Sequence, residues 1–417
     1  MKGKKRLREG IIVLAGSLCI FAGSYAQMKE QGMETPENAL RILQKFKVSG
    51  YVQSQYQWGE KDALLKVGAP NENFEKAFDR IGVRRGRIKF IYEEGLATGI
   101  FQLDITEKGL GVKDAYLQVK DPWFNTMALK TGVFDRPFGN EISYSSSRRE
   151  SPERSTICQT LFPDERDLGV LLLLQPAKTS PWNFLKLEAG LFAGNGIRQE
   201  TDNRKDFIGH LSVEKTIGNN MKIGGGISYY NGGVYQGSET IFTLKGKTFV
   251  ANNTGNKGKF AKREYFGLDA QFNLLSKIGA SQIRAEYLLG KQPGIASNSK
   301  SPNASTLPSS DIYIRNFQGG YVIFVQDFGT TPFSAVLKYD WYDPNIRIEG
   351  NDIGLNETGT GDIACKTFGF GLLWKMNNYI RLQAYYEVNS NETTKNAAAY
   401  QSDRQDNTFT LRLQYKW

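Results

Sequence analysis

The chain ends in Phe409-Thr410-Leu411-Arg412-Leu413-Gln414-Tyr415-Lys416-Trp417, where five apolar side chains alternate with four polar ones. Successive side chains of an extended strand point to opposite faces, so this stretch is a strand with one apolar face and one wet face. The pattern recurs upstream. Phe266, Leu268, Ala270, Phe272 and Leu274 alternate with Gly267, Asp269, Gln271 and Asn273. Phe368, Phe370, Leu372 and Trp374 form a third apolar row, and Phe333, Ala335, Leu337, Tyr339 and Trp341 a fourth.

Between such rows the connections sort by length. Short turns are expected at Glu93 to Gly95, Asp121-Pro122, Pro176 to Pro181, Gly218 to Asn220, Ser276-Lys277, Gly329 to Pro332 and Asn377-Asn378. Longer polar connections alternate with them: Gly59 to Phe78, Thr106 to Gly111, Asp135 to Arg166, Asn195 to Lys205, Asn231 to Phe260, Lys291 to Asp311, Asp343 to Ile363 and Ser390 to Asp406. Strict alternation places all long loops at one end of the sheet. That is the plan of a transmembrane antiparallel β-barrel of about sixteen strands, with tight turns on one side and long loops on the other. A sandwich or propeller has no reason to sort its loops this way. The aromatic final residue, Trp417, is similar to the C-terminal signature of outer-membrane barrels. Trp123, Trp182, Trp341 and Trp374 fall near strand ends, where aromatic girdles belong.

Composition agrees. Aromatic residues make up 12% of the chain, yet mean hydropathy is −0.44. Strands that alternate produce this pairing, and no stretch after the N-terminus is apolar enough for a membrane helix. At the N-terminus, Lys2, Lys4, Lys5, Arg6 and Arg8 precede an apolar run from Ile11 to Phe21 and then Ser24-Tyr25-Ala26. This reads as a signal peptide over residues 1–26, followed by a short periplasmic lead-in over 27–45 and a single barrel over 46–417. Cleavage there lowers the net charge from +10 by five bases and one acid to +6. That balance gives no argument for nucleic acid. Cys158 and Cys365 would remain, and their spacing leaves open whether they pair.

One connection stands apart. Phe134 to Gly169 is too long for a turn, and loops of that length usually carry function. It holds Ser145, Ser146 and Ser147, then Arg148, Arg149 and Arg154. Guanidinium groups grip oxyanions bidentately. Set against this, Asp135 to Asp167 contains five Arg and seven Asp or Glu, which on these residues alone slightly favours a solvated external loop. Opposite it, taking Ile88 and Phe90 as outward turns Arg85, Arg87 and Lys89 inward, and Arg84 then needs a bulge or a rim position.

With the strands placed, the chain resembles the phosphate-selective porin O/P family. The matching pieces are Arg84-Arg85-Gly86-Arg87, Phe101 to Asp104, Lys113 to Leu117, Thr131 to Gly139, the serines with Glu153-Arg154-Ser155, and Phe162 to Gly169. Tyr339 to Pro344 also fits, and the likeness is tight over roughly Arg80 to Gly169. The resemblance implies a trimeric porin whose third long loop folds inward and narrows the pore. It implies Arg84 and Arg85 on the wall of the constriction, Asp114 on the wall strand that follows, and Ser146, Ser147 and Arg154 on the constricting loop, with arginines holding the anions. Arg148-Arg149-Glu150-Ser151-Pro152 departs from the family pattern, which bears on phosphate selectivity. The expected ligand-binding set is therefore Arg84, Arg85, Arg87, Asp114, Ser146, Ser147, Arg148, Arg149 and Arg154, with Arg154 the strongest contact.

The expected function is passive diffusion of small anions across a Gram-negative outer membrane, phosphate or polyphosphate by resemblance. The partners expected are the permeant anions, outer-membrane lipid and two further copies of the chain. The alternatives are a porin for other solutes and a barrel that binds without conducting. A barrel hydrolase would need a general base, and His210 has no serine motif or acid beside it in sequence. Neither a cofactor nor a metal site is expected, because no cluster of ligating side chains appears.

Overall fold

In β18 (Thr408–Lys416) the buried and exposed faces are reversed from those of a soluble protein. Leu413 is 47% exposed and Tyr415 is exposed beside it, while Arg412 is 1% exposed and Thr410 and Gln414 are buried. The same inversion runs around much of the sheet, with apolar side chains looking out and polar ones enclosed. The computed structural model describes residues 44–417. The expected signal peptide and most of the lead-in fall outside the described residues.

The strands are β1 (Phe46–Gly59), β2 (Phe78–Glu94), β3 (Ala97–Thr106), β4 (Gly109–Lys120), β5 (Met127–Asp135), β6 (Arg166–Leu174), β7 (Leu185–Phe192), β8 (Asp206–Ile217) and β9 (Met221–Tyr235). They continue with β10 (Ile241–Lys245), β11 (Thr248–Asn252), β12 (Phe260–Ser276), β13 (Gly279–Gly294), β14 (Ile312–Asp327), β15 (Phe333–Asp343), β16 (Cys365–Lys375) and β17 (Ile380–Asn391) before β18. Of these eighteen, β10 and β11 form a hairpin within one long loop, and the other sixteen make the ring. Each ring strand pairs antiparallel with its neighbours, β9 meets β12, and β1 closes the barrel against β18 with Tyr56 opposite Leu411. Closure leaves no free edge in the ring.

The expected alternation of turns and loops holds with two differences. Thr106 to Gly111 is a tight turn, since β3 and β4 pair through Thr106 and Gly109. The loop from Asn231 to Phe260 contains the β10–β11 hairpin, which continues the sheet beside the start of β14 in parallel. Trp123, Trp182 and Trp374 sit at the short-turn end and Trp341 at the long-loop end.

Two strand irregularities aim side chains at the interior. The β1–β2 register shifts between Gln53 and Ser54, which leaves Arg84 as the extra residue of a bulge beside Arg85. Of the two readings the sequence left open for Arg84, a bulge or a rim position, the strand takes the bulge. A second shift between Gln102 and Leu103 leaves Lys113 unpaired next to Asp114. Bulges re-aim side chains in this way, and they cluster near functional sites.

Candidate functional site

The loop from Arg136 to Glu165 is tied to polar side chains on the inner face of the barrel. On one side its partners come from β1, β2 and β18. Ser146 Oγ lies 2.6 Å from the Tyr51 hydroxyl and accepts from Arg87 Nη1 at 3.0 Å. Gln53 donates to the Ser146 carbonyl at 3.0 Å and Gln414 to the Ser147 carbonyl at 3.1 Å. Glu153 is the hub of this side. It accepts two bonds from Arg84 at 2.9 and 3.0 Å, one from Arg85 at 2.7 Å and one from Arg412 at 3.1 Å. Burial alone would raise its pKa, but Arg84, Arg85 and Arg412 outweigh that and hold the carboxyl well below its ordinary range.

Across the barrel the loop reaches β13 to β17. The Asn140 N–H donates to Glu286 at 2.7 Å, the Glu141 N–H joins it, and the Thr156 N–H donates to Asp340 at 3.1 Å. Glu150 pairs with Arg284, and Lys338 lies 3.4 Å from Glu141. Gly139 has φ +59, and a Cβ there would run into the Glu286 carboxylate, so the approach needs glycine.

Packing fixes the loop as well. Phe138, Ile142, Ile157, Leu161 and Phe162 lie in one cluster with Phe134, Phe192, Tyr230, Tyr265 and Phe317 of the wall. A one-and-a-half-turn helix, α1 (Thr156–Leu161), presents Ile157, Cys158 and Leu161 to it. Burying each large side chain contributes about 1.5–3 kcal/mol as an upper bound. Buried ion pairs return little beyond their desolvation cost. The apolar face therefore holds the loop, and the ion pairs set its register. The loop closes back on β6 through Asp164 and Glu165, both left-handed at φ 61 and 66, at a cost of about 1 kcal/mol or more each. Glu165 is pinned there by Arg154 and Arg166.

The expected site residues separate into distinct roles. Arg84, Arg85 and Arg87 converge on the loop. Asp114 lines one cavity with the loop serines, and its carboxylate accepts from Arg166 at 3.0 Å. Arg154 spends its donors within the loop, on the carbonyls of Glu141, Ile142 and Tyr144 at 2.8, 2.9 and 3.1 Å and on Glu165. Arg148 is exposed, while Arg149 is buried with none of its side-chain nitrogens bonded. Sequence reasoning grouped these three arginines; only the loop's folded path distinguishes them. It also missed Arg284, Lys338 and Arg381, which carry no local motif.

Two cavities flank the loop on its basic side. One of about 340 Å³ is lined by Tyr51, Arg87, Lys89, Ser146, Arg148 and Lys416 among others. Another of about 200 Å³ is lined by Arg84, Arg85, Arg87, Lys113, Arg149 and Glu165 among others. Arg87 and Arg154 border both. Across the lumen His210 has an acid after all, Asp269 at 2.9 Å, because Gly226 between them leaves room for the pair. The nearby Ser228 hydroxyl accepts the Gly139 N–H. Cys158 and Cys365 are both free thiols.

The fold has solved counterparts. The Salmonella typhi OmpF complex with daunomycin superposes with a TM-score of 0.56 at 11% identity, covering 89% of this chain and 97% of that one. OmpT of Vibrio cholerae in its trimer form gives 0.52 at 12% identity, over 89% and 99%. The outer membrane channel DcaP of Acinetobacter baumannii gives 0.51 at 12% identity, over 89% and 97%. The fold is that of outer-membrane porins. At such identities the likeness carries the architecture, a closed antiparallel barrel of sixteen strands, and nothing finer. No protein-family profile and no curated protein sequence matches the chain.

Proposed function

We infer that the protein is a passive outer-membrane porin with a bias toward anions, its pore narrowed by the loop from Arg136 to Glu165. The observation that carries this is the bridging of the barrel's inner faces by that loop, with contacts to β1, β2 and β18 on one side and β13 to β17 on the other. The 340 Å³ cavity beside the loop is lined by Arg87, Lys89, Arg148, Arg154, Arg166 and Lys416 among others, and Arg84 and Arg85 line a second one next to it. Rings of Arg and Lys select anions by replacing part of their hydration. Phosphate is the anion suggested by the family resemblance. Most of the wall arginines are paired with carboxylates, which favours a modest preference among anions over a strict phosphate filter.

On this reading the short turns face the periplasm, the long loops face outward, and the barrel assembles as a homotrimer. The test is reconstitution into planar bilayers: discrete conductance steps and a reversal potential of anion-selective sign in a KCl gradient are expected. A protein that inserts without conducting would instead be a binding barrel, and a cation-selective sign would remove the anion bias.

A further inference from the structure

Arg149 lies at the centre of the loop and is 3% exposed. Its backbone is fixed at both ends: its N–H donates to the Ser145 carbonyl at 3.0 Å, and its carbonyl accepts from Arg381 at 3.1 Å. Its side chain lines the 200 Å³ cavity, yet Nε, Nη1 and Nη2 all lack a partner. A guanidinium keeps its proton under all ordinary conditions, so it cannot relieve burial by becoming neutral. A buried charge without an acceptor is among the least tolerable groups a fold can hold.

Three of the four carboxylates around the cavity are already paired: Glu153 is shared by Arg84, Arg85 and Arg412, Glu165 by Arg154 and Arg166, and Asp104 faces Arg87. The fourth, Asp164, accepts from Asn303 at 2.6 Å. Seven Lys or Arg and four Asp or Glu line the space, an excess of 7 − 4 = 3 positive charges. Among the described residues, three of those cations have no carboxylate at ion-pair distance: Arg149, the bulge residue Lys113 and Lys300 from the β13–β14 loop. The volume is that of about six liquid waters, enough for one small anion with part of its hydration. Water could fill the space but would leave the three charges unbalanced.

We propose that Arg149, Lys113 and Lys300 hold one small polyvalent oxyanion, of the inorganic phosphate or sulfate kind, as a resident counter-ion that locks the loop in position. This goes beyond the permeation reading: the ion is part of the folded loop and need not be the solute that crosses. It links the loop to β4 and to the β13–β14 loop, three segments that meet at this cavity. Of the three, Arg149 falls within Arg148 to Pro152, the segment that departs from the family pattern.

The mature barrel in detergent, exchanged into chloride buffer, is titrated with inorganic phosphate at constant ionic strength. Calorimetry follows binding, and the heat-induced mobility shift follows unfolding. One phosphate per chain is expected, with an unfolding midpoint that rises saturably with phosphate and not with added chloride. Arg149→Gln is expected to weaken binding at least about tenfold and abolish the rise, because it removes a charge-assisted, bidentate contact. Lys247→Gln, in the distant β10–β11 turn, should leave both intact. If Arg149→Gln does not assemble, Lys113→Gln is expected to weaken binding severalfold. Absence of saturable binding to the parent overturns the proposal, as does unchanged affinity in either cavity variant. Loss of phosphate binding leaves the conductance reading standing, and a non-conducting protein that binds phosphate overturns only that reading.

Discussion

Glu153 of the loop and Arg85 of β2 stand 2.7 Å apart, joining the middle of the loop to the barrel wall, and Arg84 and Arg412 close on the same carboxylate. Removing that one negative charge leaves three arginines crowded together on one side of the lumen. Glu153→Gln is therefore expected to shift selectivity further toward anions, by about threefold in the permeability ratio, and to loosen the loop. The reversal potential reports the first effect and added current noise the second. Unchanged selectivity would place these arginines off the permeation path.

Arg85 and Arg87 provide the reciprocal experiment. Both are buried on the inner face of β2, Arg85 against Glu153 and Arg87 against Ser146 and Asp104. Changing both to Glu moves four unit charges at the narrowest part of the proposed path. Anion preference should fall by roughly tenfold or reverse, and the effect should shrink in high salt, where screening shortens to a few ångströms. A reversal potential identical to that of the parent would contradict their placement on the path.

How these residues became legible differs from case to case. The ring of sixteen strands could be read from Phe409 to Trp417 and its analogues, because period-two alternation is a local property. The bulge at Arg84 was one of two readings the sequence offered, because adjacent Arg84 and Arg85 cannot both face inward on a regular strand. The loop's apolar face could not. Phe192, Ile208 and Tyr230 look inward onto Phe162 and its neighbours, and in sequence they only make their strands look apolar on both faces. Nor could the difference between Arg154 and Arg149 be read. It arises from where the loop carbonyls of Glu141, Ile142 and Tyr144 fall in space.

The free thiols give a topological check. Cys365 begins β16 at the long-loop end, whereas Cys158 is enclosed in the apolar cluster under the loop. An impermeant maleimide applied to intact cells should leave Cys158 unlabelled until the protein is heated. Tags inserted in the β10–β11 turn should be reachable on the same cells, and tags at Gly218 to Asn220 should not. The opposite pattern would invert the proposed orientation.

The β4–β5 turn carries its own pH dependence. Asp121 accepts backbone N–H groups from Trp123, Phe124 and Asn125 through one oxygen, and from Thr126 and Met127 through the other. The N–H groups of Met127 and Phe124 lead in drawing its pKa down to about 2 from an ordinary 3.8. Because the folded value is the lower one, the charged carboxylate stabilises the turn in full above the ordinary value. That contribution fades as pH falls from about 4 toward 2. Asp121→Asn should thus lower the unfolding midpoint at neutral pH and flatten its dependence on pH across that window, with conductance unaffected. Midpoints measured by heat-induced mobility shift between pH 2 and 6 decide the matter. Parallel curves for parent and variant would mean that the carboxylate's charge contributes nothing to the turn.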